Sequence, residues 1–182
     1  MATKEIDVNR AGPPADYELY IMRHGIAAVR SAGTVMDDAK RPLMPEGKEK
    51  MGEIAAGLVR AGLEADWIVS SPLVRAVETA EIVGEALGSK PPLDLCDALR
   101  PGGDPEALIA FLAKRSNRRR VLVVGHEPDL SELAARLIGA GRTANMPLKK
   151  GGCGLITFSE FPPKAPGRLV WWLPPRVTRK LA

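Results

Sequence analysis

The sequence predicts an α/β fold: a three-layer α/β/α sandwich on a mainly parallel sheet with an antiparallel edge strand. Three observations predict it. Short continuous apolar runs alternate with amphipathic stretches over most of the chain, as strand–helix–strand units require. These amphipathic stretches open on capping residues, close on glycine, or do both. The last two apolar runs follow each other across a Pro-rich link, which suits an antiparallel pair.

The elements follow in order. Leu19-Tyr20-Ile21-Met22 is a short apolar run of the kind a strand buried on both faces needs. A polar stretch punctuated by Gly and Pro continues to about Gly47. Met51, Ile54, Ala55 and Leu58 then repeat at i, i+3, i+4 and i+7, with Lys50, Glu53 and Arg60 off the stripe and Gly62 as the stop. Trp67-Ile68-Val69 is the second strand. It runs into Ser70-Ser71-Pro72, which reads as a helix start, a capping hydroxyl before a Pro whose missing N–H costs nothing in the first turn. Leu73, Val77, Ala80, Val83 and Leu87 form the apolar face of that helix. Leu93–Cys96 is the third strand, and Asp104-Pro105 caps a helix that buries Leu108, Phe111 and Leu112. Val121–Val124 is the clearest strand, and Asp129 with Glu132 resembles a capping box for a helix facing inward through Leu130, Leu133, Ala134, Leu137 and Ile138. Leu155–Phe158 and Leu169–Leu173 close the sheet.

A length of 182 residues fits one domain, expected over 17–182, with Met1–Asp16 as a disordered or extended tail lacking the apolar region of a signal peptide. No apolar run reaches the roughly 18 residues of a membrane helix, so no membrane partner is expected. Cys96 and Cys153 are not in a metal-binding spacing, so no metal or other cofactor is expected, and a cytoplasmic location is the simplest reading. A net charge of +4 favours anionic partners, while aromatics at 4% argue against the base-stacking surface of a nucleic-acid binder. The oligomeric state is left open.

The chain contains two histidines. His24 directly follows the first strand and His126 the fourth, so both fall at the carboxyl edge of the sheet, where α/β proteins bind ligands. Arg23 precedes His24. Arg75 lies in the first turn after Ser70-Ser71-Pro72, at a helix N-terminus whose free N–H groups favour an anion. Guanidinium groups match phosphate oxygens two at a time.

Arg23-His24-Gly25 after a strand, Ser70-Ser71-Pro72 with Arg75 and Glu78-Thr79-Ala80, and Gly125-His126 before a helix together resemble the histidine phosphatase (phosphoglycerate mutase-like) superfamily. The small size, Asp38-x-x-Arg41-Pro42-Leu43, Leu99-x-Pro101-Gly102 and Gly125-His126-Glu127-Pro128 look most like its SixA-type phosphohistidine phosphatase branch. The resemblance runs from about Glu18 to Pro174. It implies a phosphoglycerate mutase-like fold and a metal-independent phosphatase. His24 would be the nucleophile, and Arg23, Arg75 and His126 would surround the phosphoryl oxygens. The expected substrate is a phosphohistidine-bearing protein. The rival readings are a small phosphomonoesterase or phosphoramidase acting on metabolites, and a phosphate-binding regulatory module without turnover. Short segments between the motifs leave no insertion to enclose a small substrate, so an open site is expected. Asp97, Asp104 and Glu127 are the candidates for a general acid, with Asp104 also explained as a helix cap and Glu127 as an orienter of His126. The basic cluster Arg115, Arg118, Arg119 and Arg120 falls at the opposite edge of the sheet and reads as a solvated loop, with docking of an acidic protein as the alternative. Lys149-Lys150-Gly151-Gly152-Cys153-Gly154 reads as a turn, with an anion-binding nest as the alternative.

Overall fold

The computed structural model describes residues 17–28, 38–115, 117–141 and 145–182. The expected tail, Met1–Asp16, lies outside them. In chain order the elements are β1 (Tyr17–Arg23), α1 (Pro45–Arg60), β2 (Trp67–Ser70), α2 (Val74–Ala86), β3 (Leu93–Leu95), α3 (Pro105–Ala113), β4 (Arg120–Gly125), α4 (Asp129–Leu137), β5 (Cys153–Phe158), β6 (Arg168–Leu173) and α5 (Pro175–Thr178), with short 3₁₀ turns at Asp38–Lys40 and Asp97–Leu99.

The sheet has six strands in the order β3-β2-β4-β1-β5-β6. The β3, β2, β4 and β1 strands are mutually parallel, and β5 and β6 add to β1 as antiparallel neighbours. Alternation along the strands divides the core in two. Leu19, Ile21, Val121 and Val123 meet Leu108 and Leu112 of α3 and Leu130, Leu133 and Leu137 of α4. Tyr20, Met22, Leu122 and Val124 meet Met51, Ile54 and Leu58 of α1 and Ala76, Ala80 and Val83 of α2. The sandwich read from the sequence is therefore present. Each buried Leu, Ile or Val contributes about 1.5–3 kcal/mol by leaving water, and so both helical layers are held to the sheet. Trp171 packs on the α1/α2 side and Trp172 on the α3/α4 side, so consecutive tryptophans serve both cores. No helix of the described residues is long and apolar enough to cross a membrane.

Two helix starts differ from the sequence expectation. The N-cap of α2 is Leu73, without a side-chain cap; the Ser71 hydroxyl accepts from the Leu73 N–H at 3.4 Å, just ahead of the helix, and also meets His126. The α4 helix is preceded by Pro128, and Asp129 accepts a bond from the Gly102 N–H at 2.9 Å, so it ties the start of α4 to the loop before α3 and does not cap its own helix. Asp104 does cap α3, accepting from the Glu106 N–H at 2.9 Å.

The short α5 packs on the backbone of α1 at Gly57, where a Cβ would fall 1.8 Å from the Thr178 carbonyl oxygen. Alanine in a helix is ordinarily favoured over glycine by about 1 kcal/mol. At Gly57 the collision outweighs that preference, whereas Gly52 on the same helix has open space around it. Gly57→Ala is thus expected to lower the melting temperature and speed amide exchange in residues 174–182. Gly52→Ala should instead raise stability by about 0.5–1 kcal/mol. Equal effects at the two glycines would contradict this packing.

Candidate active site

Direct pairing of β1 with β4 places Arg23 opposite Gly125. The next residues, His24 and His126, therefore leave neighbouring strands at the same level, and the His24 N–H prolongs the ladder to the Gly125 carbonyl at 3.2 Å. Beyond that point the chains diverge. The β1 chain continues through α1 on one face of the sheet, and the β4 chain through α4 on the other. The crevice that opens between them is the topological switch point where doubly wound sheets bind ligands. The two imidazole centroids are 5.1 Å apart in it, with planes inclined by 55°.

Both rings are buried. His24 Nδ1 lies 2.7 Å from the Gly25 carbonyl oxygen. A carbonyl only accepts, so Nδ1 carries the hydrogen and Nε2 presents its lone pair. Burial pushes the His24 imidazole down to about 3, despite the opposing Gly25 carbonyl, and the charges of Arg75 and Arg23 push the same way. Burial, and after it the Arg75 charge, takes His126 down to about 4. Both rings are consequently neutral at physiological pH. Ser71 Oγ is 2.9 Å from His126 Nε2, which fixes that ring.

The guanidinium groups are anchored from behind. Arg75, almost completely buried, donates from Nε to His24 Nε2 at 3.3 Å, from Nη1 to the Asp38 carbonyl at 2.8 Å and from Nη2 to Asp38 Oδ2 at 3.1 Å. The other carboxylate oxygen of Asp38 accepts from Arg41 Nε at 2.8 Å, and Arg41 Nη1 reaches the Ala28 carbonyl at 2.6 Å. Arg23 Nη1 donates to the Leu148 carbonyl at 2.7 Å, while its Nε is buried without a partner among the described residues. A buried N–H of that kind carries the full cost of its lost hydration until an acceptor arrives.

Thr79 joins two parts of this arrangement. Its Oγ1 accepts from the Gly25 N–H at 3.0 Å and donates to the Arg75 carbonyl at 2.7 Å. Glu78 accepts from the Leu43 N–H at 2.6 Å, tying the Asp38–Leu43 segment to α2. The Gly151 N–H donates to the carbonyls of Arg23 at 3.0 Å and His24 at 3.1 Å. It is therefore committed to the chain itself, as is the Gly152 N–H, which donates to the Lys149 carbonyl at 2.7 Å, and the segment makes the expected turn.

The structure thus brings His24, His126, Arg23 and Arg75 to one crevice. It does not bring the three candidate acids there. Asp97 is highly exposed and bonds Arg100 at 2.6 Å, and Asp104 is the α3 cap. Glu127 does not orient His126. It accepts from the Leu148 N–H at 3.0 Å and from Ser131 Oγ at 2.6 Å, and so holds the residue whose carbonyl receives Arg23. The roles of Ser71 and Thr79, and the bonds of Asp38 to Arg75 and Arg41, were not read from the sequence. For Thr79 a signal existed, because it follows Arg75 by four residues on one helix face. The basic cluster is engaged at the far edge: Arg115 pairs with Asp94 at 2.6 Å and lies over Trp67, Arg118 donates to the Asp66 carbonyl at 2.8 Å, and Arg120 pairs with Glu64.

Two neutral buried imidazoles link stability to pH. Unfolded, each would titrate near 6.5; folded, they titrate near 3 and 4. Between those values the unfolded chain binds more protons, so the folded state loses stability as pH falls from about 6.5 toward the folded values. Urea titrations of a His24→Asn/His126→Asn variant should show a shallower loss of stability from about pH 7 to about pH 4.5 than the unaltered protein. Parallel curves would exclude this linkage.

Comparison with known proteins shows the family and the fold. The sequence profile of the histidine phosphatase superfamily (branch 1) matches residues 19–101, a span containing His24 and Arg75. An uncharacterized protein of a Picosynechococcus strain is 39% identical over 139 residues, covering 74% of this chain and 81% of that one. The phosphohistidine phosphatase SixA of Escherichia coli strain K12 is 33% identical over 122 residues, covering 66% of this chain and 73% of SixA. The structure of protein histidine phosphatase SixA complexed with tungstate superimposes with a TM-score of 0.73 at 28% identity, over 87% of this chain and 97% of that one. The fold is accordingly the expected phosphoglycerate mutase-like α/β sandwich, and the chain belongs to the histidine phosphatase superfamily as one of its phosphatases.

Proposed function

We propose that the protein hydrolyses phosphohistidine on proteins through a covalent phosphohistidine formed at His24. The observation that carries this reading is the His24 ring itself. It is neutral, held by Nδ1 on the Gly25 carbonyl, and presents the Nε2 lone pair beside Arg75 Nε at 3.3 Å. The similarity to SixA supports the choice of substrate class.

In this mechanism His24 Nε2 attacks phosphorus in line as the bond to the substrate nitrogen breaks. The electron pair of that bond leaves with the substrate imidazole, which departs neutral when its second nitrogen carries a proton. As the phosphoryl group enters, Arg75 Nε–H turns from His24 Nε2 to an equatorial phosphoryl oxygen, which frees the attacking lone pair; the Arg23 Nε–H donates to the same set of oxygens, and His126 completes the ring of polar groups around them. Charge in such transition states is spread over those oxygens, so fixed donors in a buried crevice are the main source of rate. Water then attacks the phosphoryl group on His24, releasing inorganic phosphate and restoring the ring. The positive charge comes from side chains, and no metal takes part in this scheme.

An imidazole leaves more readily than an alkoxide. The three candidate carboxylates are all engaged away from the imidazoles, an arrangement that a phosphoramidate substrate tolerates better than a phosphate ester does. Asp38 holds two guanidiniums and serves as an acceptor, which keeps Arg75 aimed at the crevice.

Labelled phosphoryl donor should leave an acid-labile, base-stable label on the protein, absent from His24→Ala, with turnover reduced at least about 10³-fold. Turnover that survives the substitution without label would refute the covalent route. Binding of phosphate without turnover would instead establish a regulatory module. Faster hydrolysis of sugar phosphates than of a phosphohistidine protein would move the substrate to metabolites.

A further inference from the structure

A second cavity shares the His24–Gly25 backbone. It lies between the first turns of α1, the turn before β5 and α5, with a volume of about 200 Å³. This is the same end of the sheet as the crevice, because β5 begins at Cys153 opposite Met22, and β6 ends at Leu173 opposite Cys153. Gly25 forms part of its wall, and Gly151, the neighbour of Lys150, is the residue bonded to the His24 carbonyl. Met51, Ile54 and Pro175 give it an apolar floor, and Lys50, Lys150, Arg176 and Arg179 stand around it.

The balance of charge there is positive. Lys50 pairs with Glu46 and Arg179 with Glu53. Lys150 and Arg176 are exposed and have no ion-pair partner among the described residues. An apolar floor under surplus cations fits an acidic segment that also carries an apolar side chain. The volume argues against a whole metabolite, since small-molecule sites run to roughly 300–1,000 Å³. It does accommodate a side chain or two from a larger partner.

We propose that this cleft is a docking groove for the acidic protein segment flanking the phosphohistidine that His24 attacks. The proposal rests on the phosphohistidine reading above and adds to it the side from which the substrate approaches and the charge it carries there. Rim charges of this sort act through encounter and KM more than through the chemical step, and salt screens them.

The test uses the full-length protein and two synthetic peptides centred on phosphohistidine, with either acidic or lysine residues at the flanking positions. Phosphoramidate serves as a substrate too small to reach the groove. The acidic peptide should show kcat/KM about tenfold higher at about 50 mM NaCl, and most of that advantage should vanish at about 500 mM. Lys150→Glu/Arg176→Glu should abolish the preference through KM while leaving phosphoramidate hydrolysis unchanged, and Lys150→Ala/Arg176→Ala should reduce it partly. Equal kcat/KM for the two peptides, or a preference untouched by both variants, would overturn the groove and leave the phosphohistidine reading standing. Phosphoramidate turnover without hydrolysis of either peptide would overturn both.

Discussion

The parallel pairing of β1 with β4 is the constraint on which the rest of the molecule depends. Only as direct neighbours, with Arg23 level with Gly125, do the two strands deliver His24 and His126 to one crevice. Both faces of these strands are apolar, so polarity alone fixes the register weakly. The ends supply what the middle lacks. The Glu18 N–H bonds the Arg119 carbonyl at 2.7 Å at the amino end, and the His24 N–H bonds the Gly125 carbonyl at the other. Layers on both faces then lock the pair, because α1 and α2 demand one set of side chains, and α3 and α4 the other. A slip of one residue would exchange the two sets and separate the imidazoles.

Buried cations are costly, and the site shows how that cost is limited. Arg75 is held by both the carbonyl and the carboxylate of Asp38, and one end of the Arg23 guanidinium by the Leu148 carbonyl, a residue that Glu127 holds through its N–H. The histidines avoid the cost by staying neutral. The crevice therefore keeps a positive field without two further protonated rings, and His24 Nε2 stays unprotonated, its lone pair held by the Arg75 Nε–H. Thr79 ties the Gly25 N–H to the Arg75 carbonyl, so the loop after His24 is bonded directly to the helix that carries the guanidinium.

Legibility in the sequence followed the range of the interactions. Apolar runs such as Leu19–Met22 and Val121–Val124 carry their own signal, and every strand read from the sequence is present within one or two residues of its observed bounds. Local chemistry misled where a side chain had a distant competitor. The Ser71 hydroxyl has the sequence context of a cap and reaches only the Leu73 N–H, at 3.4 Å, while His126, 55 positions away along the chain, holds it at 2.9 Å. Asp129 has the context of a capping box and bonds Gly102 instead. Glu127 sits beside His126 in sequence, but its carboxylate reaches Leu148.

By itself the sequence determined the fold class, the order of elements and the placement of His24 and His126 at strand ends, because periodicity and chain position are local properties. It also singled out Arg23 and Arg75 by residue type. Tertiary structure alone decided that β4 inserts between β2 and β1, that Asp38 bridges Arg75 and Arg41, and which nitrogen of His24 faces the crevice. Those outcomes depend on hydrogen bonds between segments far apart in the chain, and such bonds leave no periodic trace in the residues that make them.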